Sequence, residues 1–121
     1  MDQTVNPYLA YIEYRMANHR SRPASDIFCY FRKSSDHSTV WMTVMKGHYL
    51  NQPASFKTCI TAVKCSRETA RKIIFDAQSK GYLQIRQAAD DRRKRLVCPT
   101  KRCIEHFEVM VDSYQHLFAE H

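Results

Sequence analysis

The stretch Ser66-Arg67-Glu68-Thr69-Ala70-Arg71-Lys72-Ile73-Ile74-Phe75-Asp76-Ala77-Gln78-Ser79-Lys80-Gly81 decides how the rest of the chain is read. Ala70, Ile73, Ile74 and Ala77 recur at i, i+3, i+4 and i+7, which predicts a helix with one buried face. Ser66 is placed to cap its first turn, and Glu68 sets a negative charge at the positive end of the helix dipole. Gly81, one of two glycines in the chain, marks the stop, because a sharp exit needs a residue at ease with positive φ. The face opposite the apolar stripe carries Arg67, Arg71 and Lys72 near the N-terminal end. A helix entering a DNA major groove presents side chains in that way. Taken alone, a basic amphipathic helix is most often a solvated surface helix.

The flanks favour the sharper reading. Ala54 to Val63 reads as a shorter helix with Phe56, Cys59, Ile60 and Val63 at helical spacing, and Lys64-Cys65-Ser66 is then the turn. Downstream, Tyr82 to Gln87 alternates apolar with polar, and Lys94 to Cys98 is a second strand candidate. Ala88 to Arg93 lies between them. Helix, turn, capped helix, glycine, strand, charged loop, strand is the order of a winged helix-turn-helix, with the loop as the wing.

Gly81-Tyr82-Leu83, Arg86, Asp91-Arg92-Arg93, Leu96-Val97 and Thr100 together resemble the wing signature of MarR-type multiple-antibiotic-resistance regulators. The resemblance covers about the central half of the chain. It implies that Arg93 reaches the minor groove while Asp91 steadies it, with Arg92 sharing the work. Cys98-Pro99-Thr100 departs from the family's more usual apolar residue, Leu and Thr. With His121 as the last residue, the second C-terminal helix of the family's dimer interface is expected to be missing, so the chain reads as a short variant.

Charge supports the same surface. Residues 64–102 hold 12 of the 19 Lys and Arg against four acids, whereas residues 103–121 hold none against four. Of the net +7, the excess is thus concentrated on the expected recognition helix and wing, as a phosphate-facing surface requires. The run Arg92-Arg93-Lys94-Arg95 could also be a solvated charge run, but the flanking strands favour a wing tip.

The remaining segments are expected to be helical. Val5 to Asn18 sets Val5, Leu9, Ile12 and Met16 on one face with Tyr8, Tyr11 and Tyr14 at its sides, a wide surface that suits packing either on the chain's own core or on a partner subunit. His19 to Ala24 breaks it, with Arg20 and Arg22 in the loop. Ser25 to Lys33 is a short helix capped by Ser25, and Ser34 to His37 a polar break. Ser38 to Leu50 carries Val40, Trp41, Val44 and Met45 at helical spacing; its β-branched residues also allow a strand, and Gly47-His48 is expected to end a helix early. Asn51-Gln52-Pro53 is a polar lead-in. Thr100 caps the last helix, whose stripe Cys103, Ile104, Phe107, Met110, Val111, Tyr114, Leu117 and Phe118 suits packing against the N-terminal helix of the same or a second subunit.

Five cysteines, Cys29, Cys59, Cys65, Cys98 and Cys103, are an odd number, and the opening residues show neither a signal peptide nor a membrane span. A cytoplasmic, nucleoid-associated protein with reduced thiols is expected. No cysteine or histidine spacing matches a zinc site, so no metal and no cofactor is expected. No nucleophile and base pattern suggests catalysis. Cys65, ahead of a helix N-terminus and beside Lys64 and Arg67, is the one thiol in an electropositive setting and is a candidate redox-sensitive residue.

The sequence thus predicts a mainly α domain over 1–121 with a small β-wing: an N-terminal helix in 1–22, the helix-turn-helix and wing in 54–100, and a C-terminal helix in 101–121, both flanking helices serving dimerisation. The expected function is sequence-specific binding of double-stranded DNA by a homodimeric transcriptional repressor. Arg67, Thr69, Arg71 and Lys72 are the candidates for the major groove, and Arg92, Arg93 and Lys94 for the wing, supported by Asp91. No membrane is implied and no small-molecule effector is assigned. The alternative is a winged-helix assembly or architectural protein that binds DNA non-specifically and docks a partner through its C-terminal helix.

Overall fold

Serines open four of the described helices. The computed structural model describes residues 6–10, 12–13 and 25–119, with 114–119 by backbone only. In it Ser25 caps α1 (Asp26–Phe31), Ser34 caps α2 (Ser35–Tyr49), Ser55 caps α3 (Phe56–Ala62) and Ser66 caps α4 (Arg67–Ser79). Each hydroxyl accepts the amide N–H three residues on, at 3.0 to 3.2 Å. Thr100 does the same for α5 (Lys101–Ala119), accepting from the N–H of Cys103. The strands are β1 (Ala54–Ser55), β2 (Leu83–Gln87) and β3 (Arg95–Pro99), in the antiparallel order β1-β3-β2. The mainly α class with a small wing sheet is therefore as expected.

Two helices end in the same device. At the end of α4, Gly81 has φ 79°, its N–H donates to Gln78 O at 3.0 Å, and the N–H of Tyr82 donates to Ala77 O at 2.9 Å. This is a Schellman closure, and it turns the chain straight into β2. At the end of α2, Asn51 (φ 56°) takes glycine's place, donating to His48 O, while Gln52 donates to Gly47 O.

The structure corrects several boundaries. The helix read from Ser38 is there, with no strand in its place, but it begins earlier, at Ser35. Gly47 does not end it; the helix runs on to Tyr49. Gly47 is small because the returning chain lies against it, so that a Cβ there would sit 2.7 Å from Ala54 N and 2.8 Å from Gln52 O. Ala54 and Ser55, expected within a helix, instead pair with Val97 and Leu96 of β3. Pro99 is accommodated in β3 because the adjacent Thr100 N–H bonds Tyr82 O, which turns the nitrogen of residue 99 away from β2 and toward the side where β1 reaches only Leu96 and Val97.

Ala70, Ile73, Ile74 and Ala77 of α4 are all buried, as their spacing predicts, against Val40, Val44 and Met45 of α2, Cys59 and Ile60 of α3, and Leu83 and Val97 of the sheet. A second, aromatic part of the core joins α1, α2 and α5: Phe31 stacks on Trp41 at 5.0 Å, and Phe107 meets Trp41 edge-on at 5.5 Å. The Trp41 indole N–H is buried without an oxygen or nitrogen acceptor and faces the Cys103 thiol. Burial pushes that thiol up to about 11, with the indole hydrogen bond acting against the rise.

Asp26, Arg102 and Tyr82 clasp α1, α5 and the approach to β2. Arg102 Nη2 donates to both carboxylate oxygens of Asp26 at 2.7 and 2.6 Å, and Tyr82 Oη donates to Asp26 Oδ2 at 3.0 Å. Burial alone would raise the Asp26 pKa, but the hydrogen bonds from Arg102 and Tyr82 outweigh it and hold the carboxyl below its ordinary value.

Of the helix expected over Val5 to Asn18, residues 7–10 and 12–13 are helical, opened by Asn6, whose Oδ1 accepts from Tyr8 and Leu9 N–H. Tyr8, Leu9 and Ile12 are exposed. Val5, Tyr11, Tyr14, Met16, Arg20, Arg22 and the side chains of Tyr114, Leu117 and Phe118 lie outside the described residues.

Gly47→Ala tests the close approach directly. Helix propensity alone favours alanine by about 1 kcal/mol, but overpacking against the returning backbone costs about 1–3 kcal/mol, so urea denaturation should show a net loss; a gain would show that the turn yields freely. Asp26→Asn should cost less than about 1 kcal/mol at pH 7, because both partners are half exposed. Since the folded-state pKa is lowered, this contribution is present above the ordinary value of 3.8 and fades as pH falls through the lowered one. Denaturation of both proteins at pH 7 and in acid should show the gap closing.

Candidate nucleic-acid interface

The arrangement around α4 follows from its buried stripe. With Ala70, Ile73, Ile74 and Ala77 turned inward, Arg67, Glu68, Arg71, Lys72 and Phe75 are left to solvent. Arg67 and Arg71, four residues apart, share one side of the helix. Thr69 is exposed at the first turn, where its hydroxyl accepts from Ser66 Oγ at 2.9 Å. Lys72 approaches Glu68 at 4.0 Å with both side chains more than three quarters exposed, a pairing worth little in water. An open groove of about 670 Å³ runs along this side of α4, with Tyr30 and His37 on its far wall.

The wing is a seven-residue loop, 88–94, between β2 and β3, which pair from Leu83↔Pro99 to Gln87↔Arg95. Ala88 N–H donates to Lys94 O at 2.9 Å and Lys94 N–H to Asp91 O at 3.1 Å. The Gln87 amide donates to Arg92 O at 2.7 Å. Asp91 Oδ1 accepts the backbone N–H of Arg93 at 2.9 Å, so what the carboxylate holds here is the main chain below Arg93 rather than its guanidinium. Arg92, Arg93 and Lys94 are exposed, and among the described residues no carboxylate pairs with them or with Arg67. Unneutralised cations on two adjoining elements make a surface complementary to polyanions.

Three aromatic and cationic groups beside these were not singled out from the sequence. Phe75 is 37% exposed on α4 and packs on Phe56 at 5.5 Å between ring centroids. The Arg71 guanidinium lies 5.9 Å from both rings, and that of Arg95 lies 4.4 Å over Phe56. Phe75, an apolar residue off the buried stripe of its own helix, was the available signal. The pairing of Phe56 with Arg95 depends on β1, which no pattern announced. Arg86, part of the wing signature, is held by Gln84 Oε1 at 2.7 and 3.0 Å.

Cys65 departs from its expected setting. Ahead of α4 its neighbour is the Asp36 carboxylate, which also accepts the Lys64 N–H at 3.3 Å and so pins the turn between α3 and α4 to the start of α2. Burial, the Asp36 charge and a hydrogen bond to Asp36 all push the thiol pKa up, and the electropositive environment inferred from Lys64 and Arg67 is not what the sulfur meets. Among the described residues no three His, Cys, Asp or Glu side chains converge as a metal site would require, and no helix is long and apolar enough to cross a membrane.

No protein-family model matches the chain, and no curated protein matches it either. Solved structures do. A transcriptional regulator from Thermotoga maritima superposes with a TM-score of 0.61 at 13% identity, over 93% of this chain and 70% of that one. A MarR-like transcription regulator from Bacillus cereus gives 0.54 at 17%, over 93% and 74%. The regulator NadR, in complex with 4-hydroxyphenylacetate, gives 0.58 at 12%, over 99% and 81%. The fold is the winged helix of MarR-type transcriptional regulators, with α3 and α4 as the helix-turn-helix and the β2–β3 hairpin as the wing.

The Asp36 contact yields a prediction. Asp36→Asn should lower the Cys65 pKa and speed its alkylation by iodoacetamide near pH 8 several-fold, read by peptide mass spectrometry with Cys29 as internal reference. An unchanged rate would mean that the carboxylate does not govern the thiol.

Proposed function

We propose that this chain is a double-stranded DNA-binding transcriptional regulator that acts as a homodimer and represses by occupying promoter DNA. The observation that carries the reading is that α4 and the wing both bear exposed, unpaired cations, Arg67 on one and Arg92, Arg93 and Lys94 on the other, on a fold shared with MarR-type regulators. In this reading Arg67, Thr69, Arg71 and Lys72 enter the major groove, and Arg92, Arg93 and Lys94 hold the wing on the minor groove and backbone. Asp91 stiffens the wing by ordering the backbone that carries Arg93. Chemistry on a bound substrate has no part in it.

The dimer reading draws on apolar side chains away from the basic face. Tyr8, Leu9 and Ile12 near the N-terminus and Val109 on α5 are each more than half exposed. Pairing two copies through these helices would bury them and set two recognition helices about a two-fold axis. A dimer should bind an inverted repeat with half-sites about one helical turn apart.

Selection from a random duplex library at two salt concentrations should recover such a motif. Uniform, steeply salt-dependent binding would instead favour an assembly or architectural protein. Arg93→Ala should weaken binding to the selected site and, if its contact is to phosphate, lower the salt slope by about one; an unchanged slope and affinity would remove the wing from the interface. Light scattering should give twice the 14.3 kDa chain mass, and a monomer at micromolar concentration would refute the dimer.

A further inference from the structure

We propose that Arg95 is a DNA-backbone contact, and that Phe56 and Phe75 act as positioning residues holding it and Arg71 as one preset pair of guanidiniums on the phosphates. The proposal rests on the DNA-binding reading and adds to it a contact at the base of the wing. The register of the sheet sets the geometry. Ala54 pairs with Val97 and Ser55 with Leu96, so the next step along β1 brings Phe56, the first residue of α3, opposite Arg95, the first residue of β3. Phe56 is buried, and the Arg95 guanidinium covers its ring at 4.4 Å. Phe75 packs on Phe56 at 5.5 Å between centroids, and the Arg71 guanidinium lies 5.9 Å from both rings. Two exposed guanidiniums, one from the recognition helix and one from the sheet, thus sit at a single aromatic step.

A long arginine side chain loses rotamer freedom when it binds, and stacking on a ring that is already fixed removes that loss in advance. A contact with a ring face uses none of the guanidinium's N–H donors, and a guanidinium matches phosphate oxygens bidentately. Among the described residues neither arginine is paired with a carboxylate, so neither must break an ion pair to bind. Phe75 is an apolar group on the same exposed face as Arg71, and its contribution is to the orientation of that arginine.

The test uses the full chain and its selected duplex, followed by fluorescence anisotropy across a salt series, with thermal melts confirming that each variant folds. Arg95→Ala should weaken binding about tenfold and reduce the salt slope by about one, as loss of a phosphate contact does. Phe75→Leu keeps every charge, so it should weaken binding several-fold with the slope unchanged, and should add nothing once Arg71 is alanine, a coupling that a merely structural role would not produce. Arg95→Lys should keep the slope and recover part of the affinity. If Arg95→Ala binds as the unaltered protein does while Arg67→Ala and Arg93→Ala both weaken binding, the Arg95 contact is wrong and the DNA reading stands. If Phe75→Leu is additive with Arg71→Ala, the positioning role is wrong. If the unaltered protein binds no duplex, both readings fall together.

Discussion

The fold turns on one junction, where Thr100 meets the carbonyls of Gly81 and Tyr82. The threonine hydroxyl bonds Gly81 O at 2.9 Å and lies 3.1 Å from Tyr82 O, while its own N–H donates to Tyr82 O. The same side chain then accepts the Cys103 N–H and opens α5. Those carbonyls are where they are because Gly81 adopts φ 79° and reverses the chain out of α4. One left-handed residue and one hydroxyl thereby settle the relation of α4, both wing strands and α5. Backbone groups at a chain reversal fall outside the helix and sheet ladders and need other partners, so one side chain that satisfies several of them favours this arrangement over nearby alternatives.

Around that junction the remaining contacts brace α4 and α5 against α1 and α2. The Asp26, Arg102 and Tyr82 cluster ties α5 back to α1 at the rim, and the stacked Phe31 and Trp41 rings fill the space below it, closed by Phe107. Tyr49 extends the same wall, donating its hydroxyl to Glu108 of α5 at 2.7 Å; burial and that carboxylate push its pKa up to about 12. Tyr30, its ring packed on Phe31 and Tyr82, donates to Ile73 O in the middle of α4 at 3.0 Å, and Asp36 grips the turn before that helix. The exposed face of α4 is therefore presented by a helix held along its length, which is how a surface of flexible cations keeps a defined shape.

Local patterns reached far into this structure, and they stopped where tertiary pairing took over. The 3.6-residue period of Ala70, Ile73, Ile74 and Ala77, the cap at Ser66 and the stop at Gly81 each report a physical preference of a short window, and each was realised. The resemblance of the wing to MarR-type regulators was likewise carried by residues close together in sequence. Gly47 misled because glycine has two meanings, freedom of φ and lack of a Cβ, and only the folded chain shows which one is in use. Ala54 and Ser55 misled because a two-residue strand exists only through its partner more than forty residues away. The environment of Cys65 was misjudged for the same reason: its sequence neighbours are basic, but Asp36, distant in sequence, sits against the sulfur. The exposed cations of α4 and the wing were legible as charge, while the aromatic rings beside Arg71 and Arg95 were not, since that cluster is assembled from three elements.

The brevity of β1 has a mechanical consequence. By pairing with β3, it ties the start of α3 to the stem of the wing, so the helix-turn-helix and the wing are joined through the sheet as well as along the chain. If the chain reads a duplex as proposed, the two grooves would meet a helix and a wing whose separation the sheet helps to set. For a DNA-binding reading, the adjustment falls to the nucleic acid: sequences whose local width and flexibility already suit that span would be preferred at base pairs no side chain touches. Discrimination would in that way arise from stiffness in the protein rather than from additional contacts.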